Sequence, residues 1–121
     1  MSLSTPTQIT SSTPNNMPSQ GVTSPALNAT FVASDAINGN QFTATGNDLL
    51  LLFNSDTNPQ TVTFYSSADV SGRFADVVNY PIQAGAFLNV RFIAASLFTQ
   101  TIGMVQFKTS SALVKALPFS L

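Results

Sequence analysis

The run Gly46-Asn47-Asp48-Leu49-Leu50-Leu51-Leu52-Phe53-Asn54 decides the fold class. Five consecutive apolar residues lie between turn formers, with Gly46-Asn47-Asp48 before them and a polar turn over 54–59 after. That length suits a strand rather than a helix, and its unbroken apolar character predicts burial on both faces. It is also the longest apolar run in the chain, far short of the roughly 20 residues a membrane helix requires.

Moving outward from this run, short β signals recur. Residues 61–65 (Thr-Val-Thr-Phe-Tyr) alternate, which turns Val62 and Phe64 inward. Residues 87–93 alternate as well, with Leu88, Val90 and Phe92 on one face and Asn89 and Arg91 on the other. Residues 77–83 contain Pro81, which predicts an edge strand because proline has no N–H to give a neighbour. Residues 30–33 and 41–45 precede the central run, separated by the turn Asn38-Gly39-Asn40. Residues 102–108 and 113–117 follow around Thr109-Ser110-Ser111, and 94–100 read as a short helical turn. Seven or eight short strands at spacings near ten residues predict an all-β domain. The expected form is a single small antiparallel β-sandwich or jelly-roll-like barrel with an extended N-terminal arm.

The arm is residues 1–28, and the sandwich is residues 29–121. The arm holds Pro6, Pro14, Pro18 and Pro25, no charged residue, and only scattered apolar ones. Such a segment does not bury enough surface to offset its own ordering entropy. Fully extended it reaches roughly 90 Å at about 3.3 Å per residue. A solvated tail and an arm that orders on a neighbouring subunit both fit, with Ile9, Met17, Val22 and Leu27 as its sparse anchors in the second case.

The chain has 121 residues with no Cys, His or Trp. Thiolate nucleophiles, disulfides and zinc–sulfur sites are therefore out of reach. So is the side chain used most often as a general base near neutral pH. Only 7% of residues are charged, against about 25% in ordinary soluble domains. Four basic residues and a net charge of −1 provide no phosphate-binding stripe, so no nucleic-acid partner is expected. Residues 1–6 lack the basic and apolar regions of a signal peptide, and the expectation is use without export and without a membrane.

The carboxylates are Asp35, Asp48, Asp56, Asp69 and Asp76. Most sit in turns, where Asp bonds its own backbone. Asp69 and Asp76 flank one loop, but Arg73 between them fits an ion pair better than a catalytic dyad. The segment 35–40 lacks the ligand spacing of a calcium loop. No glycine-rich phosphate loop occurs, so neither catalytic residue nor cofactor nor metal is expected.

The body resembles small tailed-bacteriophage virion proteins of the head decoration, or cement, kind. The residues carrying the resemblance are Ala33-Ser34-Asp35-Ala36, Asn38-Gly39-Asn40-Gln41-Phe42, the run 46–54 and Gln60-Thr61-Val62-Thr63. The loop with Asp69 and Gly72, the stretch Tyr80-Pro81-Ile82-Gln83-Ala84-Gly85 and the closing Gly103-Met104-Val105-Gln106-Phe107 complete it. The Phe-rich strands and the Ser/Thr/Pro arm depart from that pattern. The resemblance implies a capsid-exterior protein, made in the host cytoplasm, that docks where shell subunits meet. Its partners would be the major capsid protein and copies of itself, with a trimer favoured. The alternative is a β-sandwich module of a fibre or tail that recognises a host glycan or another virion protein, for which Tyr65 and Tyr80 are the only tyrosine platforms. Expected partner contacts are Ile9, Met17, Val22 and Leu27 in the arm, Arg73 at the rim, and Leu117, Phe119 and Leu121 in the uncharged C-terminal stretch. For Phe119 and Leu121, packing on their own core is an equally weighted reading.

Overall fold

The computed structural model describes residues 3, 5–13, 30–66, 76–93 and 103–121. Among these, nine strands form two packed sheets: β1 (Thr7–Gln8), β2 (Val32–Ala33), β3 (Asn40–Thr43), β4 (Asn47–Asn54), β5 (Gln60–Tyr65), β6 (Val77–Ile82), β7 (Phe87–Ile93), β8 (Met104–Thr109) and β9 (Val114–Ser120). The first sheet runs β1-β3-β8-β5-β6 and the second β2-β9-β4-β7. All described pairings between strands are antiparallel except β1 with β3. The fold is an all-β sandwich, as the strand spacing predicts.

The core lies between the sheets and is assembled by the period-two rule. Val62 and Phe64 of β5, Val105 and Phe107 of β8 and Phe42 of β3 face Leu50 and Leu52 of β4, Phe92 of β7 and Val114 and Ala116 of β9. Phe42, Phe64, Phe92 and Phe107 stand 5.9 to 6.4 Å apart in tilted or edge-on pairs, the arrangement that ring quadrupoles favour. Pro81 sits in β6 at the edge of its sheet, where its missing N–H costs no ladder bond.

The central run departs from its expected environment. Leu50 and Leu52 are fully buried, whereas Leu49, Leu51 and Phe53 are only partly covered on the opposite face. The strand is central in its sheet, between β7 and β9. No described second layer lies over its outer side.

Part of the arm is described. Residues 5–13 lie against the chain's own body. Thr7 and Gln8 pair with Asn40 and Gln41 of β3, and Ser12 bridges Phe119 of β9. The segment thus crosses from one sheet to the other along one edge of the sandwich, and Ile9 points into the core at 4% exposure. The expected helical turn at 94–100 lies outside the described residues.

Candidate docking surfaces

The two outward faces of the sandwich differ in chemistry. On the first sheet the side chains facing away from the core are Gln8, Gln41 and Thr43, Thr61, Thr63 and Tyr65, and Met104, Gln106 and Lys108, as the register requires. The three glutamines make a ladder. Gln106 donates to Gln41 at 3.1 Å, Gln41 donates to Gln8 at 3.0 Å, and the Leu3 N–H donates to Gln106 at 2.8 Å. The glutamines of this face bond one another, with three strands stitched across.

On the second sheet the outward positions follow from the pairings Leu49↔Phe119, Leu51↔Leu117, Phe53↔Lys115 and Phe53↔Phe87, Leu51↔Asn89, Leu49↔Arg91. Leucines and phenylalanines fill most of it. Phe53 and Phe87 stack at 4.5 Å, and Phe31 packs on both at 6.4 and 6.1 Å. Phe87 is nonetheless 64% exposed. The charged side chains on this face among the described residues are Arg91 and Lys115, both cations. Arg91 is held by Asn47, to whose Oδ1 its Nε and Nη2 donate at 3.1 and 2.8 Å. A cation-rimmed apolar face fits an apolar partner surface with neutral or acidic margins.

The three long strands β9, β4 and β7, about 4.8 Å apart and roughly seven residues long, make a face of roughly 330 Å² in plan, to which the two residues of β2 add little. A stable interface buries about 800 Å² per partner, so this face needs either adjoining contacts or several copies acting together. Adjoining apolar groups exist at the end of the sandwich where β4 and β8 finish. Leu113 is exposed there, and Ile37 stands 82% exposed on the β2–β3 turn. Asp35 holds that turn rigid. Its carboxylate accepts the backbone N–H groups of Ile37 and Asn38 at 2.9 and 3.0 Å and the Thr7 hydroxyl at 2.7 Å. The Asn38 N–H, then Thr7 and Ile37, pull its pKa down to about 2, since each favours the charged form.

The expected contact residues fall into three groups. Leu117 and Phe119 come together on the apolar face beside Leu51 and Leu49, with Leu117 at only 4% exposure and Phe119 half-buried. Phe119 therefore turns away from the core, unlike the reading that packs it there. Leu121 is exposed, and its N–H donates to Asn47 O at 3.0 Å. Ile9 is not a free anchor, because it is buried in the chain's own core. Met17, Val22, Leu27 and Arg73 lie outside the described residues. Phe31, Ile37, Leu49, Leu51, Phe53 and Phe87 were not singled out by the sequence. The one available signal was the unbroken run 49–53, whose second apolar face needs a cover.

A cleft of about 290 Å³ opens between the edge strands β6 and β7, lined by Phe64, Val77 and Tyr80 from one sheet and Leu88, Val90 and Phe92 from the other. Tyr65 instead lines a polar groove with Thr61, Thr63 and Lys108 on the outer side of the first sheet. The two tyrosines thus belong to different depressions and build no common stacking platform. Burial, then the nearby Asp76, pushes the Tyr65 phenol pKa up. Asp76 accepts the Ser66 N–H at 2.7 Å, and Asp48 accepts the Thr45 N–H at 2.9 Å in a local turn. Among the described residues no three carboxylates gather as a metal site would require. No described helix is long and apolar enough to cross a membrane, which says nothing of strands.

No protein-family description, no curated protein and no solved structure matches the chain.

Proposed function

We propose that this chain is a non-catalytic structural protein of a virion. The specific role is a capsid decoration protein that docks on the outside of the shell, at junctions between major capsid subunits. The observation carrying this reading is the apolar outer face of the β2-β9-β4-β7 sheet. Leu49, Leu51, Phe53, Phe87 and Phe119 stand there with no described layer over them. Phe87 is 64% exposed and Leu49, Leu51, Phe53 and Phe119 are partly exposed, while Leu117 beside them is covered, and apolar surface gathered on one face in this way marks an interaction site. The low charge of the whole chain agrees, since it suits a subunit that spends its life in an assembly. The resemblance of the turn and strand pattern to head decoration proteins is what suggests the kind of assembly.

The physical task follows from these parts. Phe53 and Phe87 would act as the buried aromatic centre of each contact, with Arg91 and Lys115 as its polar rim. The modest area of one face makes the hold of a single copy weak. Oligomerisation, a trimer in this proposal, multiplies it over several sites. Added buried area between shell subunits then opposes the outward pressure of packaged DNA.

Co-sedimentation with empty expanded capsids of the phage whose particles carry this chain tests the reading. Saturable binding, together with a higher temperature of DNA release from decorated particles, is the expected result. Absence of capsid binding combined with saturable binding to a glycan array would replace it with the fibre or tail reading.

A further inference from the structure

The N-terminal strap occupies a groove whose two walls belong to different sheets. Thr7 N–H donates to Gly39 O at 2.9 Å, and Ile9 N–H donates to Gln41 O at 2.8 Å, which covers the free edge of β3. Ser12 N–H donates to Pro118 O at 2.9 Å and Ser120 N–H to Ser12 O at 2.8 Å, which covers the free edge of β9. Between these points Ile9 joins the core cluster with Phe42. At the start of the strap, the Leu3 side chain rests against Gly39, whose φ of +82° and lack of a Cβ make room for it. The groove is thus a peptide-binding site that reads backbone along two edges and one apolar side chain at its centre.

The chain that joins this strap to the body is far longer than the site demands. Ser12 pairs with Phe119 and Val32 with Ala116, three positions apart on the same strand. That separation is roughly 10 Å at about 3.3 Å per residue, while residues 13–31 reach roughly 60 Å when extended. A short turn would suffice to place the strap on its own body. The surplus reach lets the same strap enter the same groove on an adjacent copy, with every contact unchanged. Only loop closure and local concentration separate the two arrangements, and closure depends weakly on loop length. Copies held side by side sit at the high effective concentration at which exchange competes.

We infer that the β3–β9 edge groove receives residues 5–13 of a second copy of this chain, so that subunits assemble by exchanging their N-terminal straps. This deepens the proposed structural role by naming the partner of the strap, but it needs no shell to be tested. The exchanged strap buries Ile9 in a neighbour's core, adds one two-residue strand pairing and one single-residue bridge per copy, and supplements the limited area of the apolar face.

The natural chain has no cysteine, which makes disulfide mapping clean. Chains carrying Gln8→Cys and chains carrying Gln41→Cys, register partners in β1 and β3, are co-expressed at full length and oxidised. The pair Ser12→Cys and Phe119→Cys is run in parallel. Exchange predicts 8–41 and 12–119 disulfides between different chains, identified by peptide mass spectrometry. It also predicts that the Gln8→Cys/Gln41→Cys double variant forms covalent oligomers. If the double variant closes within one chain, or if neither mixed pair forms a cross-chain bridge, the inference is overturned. Capsid binding by the uncrosslinked chain is scored separately, so loss of exchange and loss of the proposed role are distinguishable.

Discussion

The two outward faces of this sandwich have the same backbone geometry and opposite chemistry. On the first sheet Gln8, Gln41 and Gln106 spend their amides on one another across three strands. On the second, the equivalent positions hold Leu49, Leu51, Phe53 and Phe119, with Phe87 largely in water. A face whose glutamines already bond one another gains little from a partner. A face of half-covered aromatics gains about 25 cal/mol for each Å² of apolar surface it hides. The difference makes one side of the molecule a finished surface and the other an unfinished interface.

The largest expected effect comes from placing a charge in the apolar face. Phe87→Asp should weaken association with shells by about thirtyfold or more, the scale of a hot spot of roughly 2 kcal/mol. Its thermal midpoint should move little, because the side chain is mostly exposed already. Sedimentation binding and a melting curve on the same sample separate the two. Next comes a change on the opposite face. Gln106→Leu removes the donor to the Gln41 Oε1 and the acceptor of the Leu3 N–H, although Gln41 still donates to Gln8, and should cost about 1–3 kcal/mol of stability by denaturant unfolding. Shell binding per folded molecule should be unchanged. A drop in affinity as large as that of Phe87→Asp would erase the distinction between the faces.

A smaller effect concerns the junction where the strap meets the β2–β3 turn. Asp35 has its pKa lowered to about 2 by the Asn38 N–H, Thr7 and Ile37, against about 3.9 unfolded. Its contribution to holding the strap is therefore complete above about pH 4 and is lost as pH falls through about 2. Amide exchange at residues 7–9, followed over that window, should accelerate in the natural chain. The Asp35→Asn variant should show no such inflection. An identical pH profile for both would remove the carboxylate from the account. The smallest effect is expected from Lys108→Ala on the polar face, within about 0.5 kcal/mol in stability and without change in association.

Much of this was legible in the sequence where period two is strict. Residues 61–65 and 87–93 place Val62, Phe64, Leu88, Val90 and Phe92 inward as the alternation predicts. The run 49–53 was legible as a strand but not as an interface. An apolar outer face looks the same whether its own chain, a partner or nothing covers it, and the pattern favoured cover from within. Leu117 and Phe119 were expected as contacts because they end an uncharged stretch. Their actual setting comes from register with Leu51 and Leu49, a long-range pairing that no local pattern encodes. Ile9 was hidden for a related reason. Its strand has two residues, and the groove that buries it is made by residues more than 30 positions away. Ile37 was hidden because a turn tip carries no periodicity.

Hydroxyl-radical footprinting of the natural chain, free and bound to capsids, tests the central claim most directly, because Phe, Tyr and Met are reactive probes distributed over both faces. Phe31, Phe53, Phe87 and Phe119 should lose reactivity on binding, while Tyr65 and Met104 on the glutamine-laddered face stay as reactive as in the free protein. Protection of Tyr65 and Met104 with Phe87 unchanged would contradict the account.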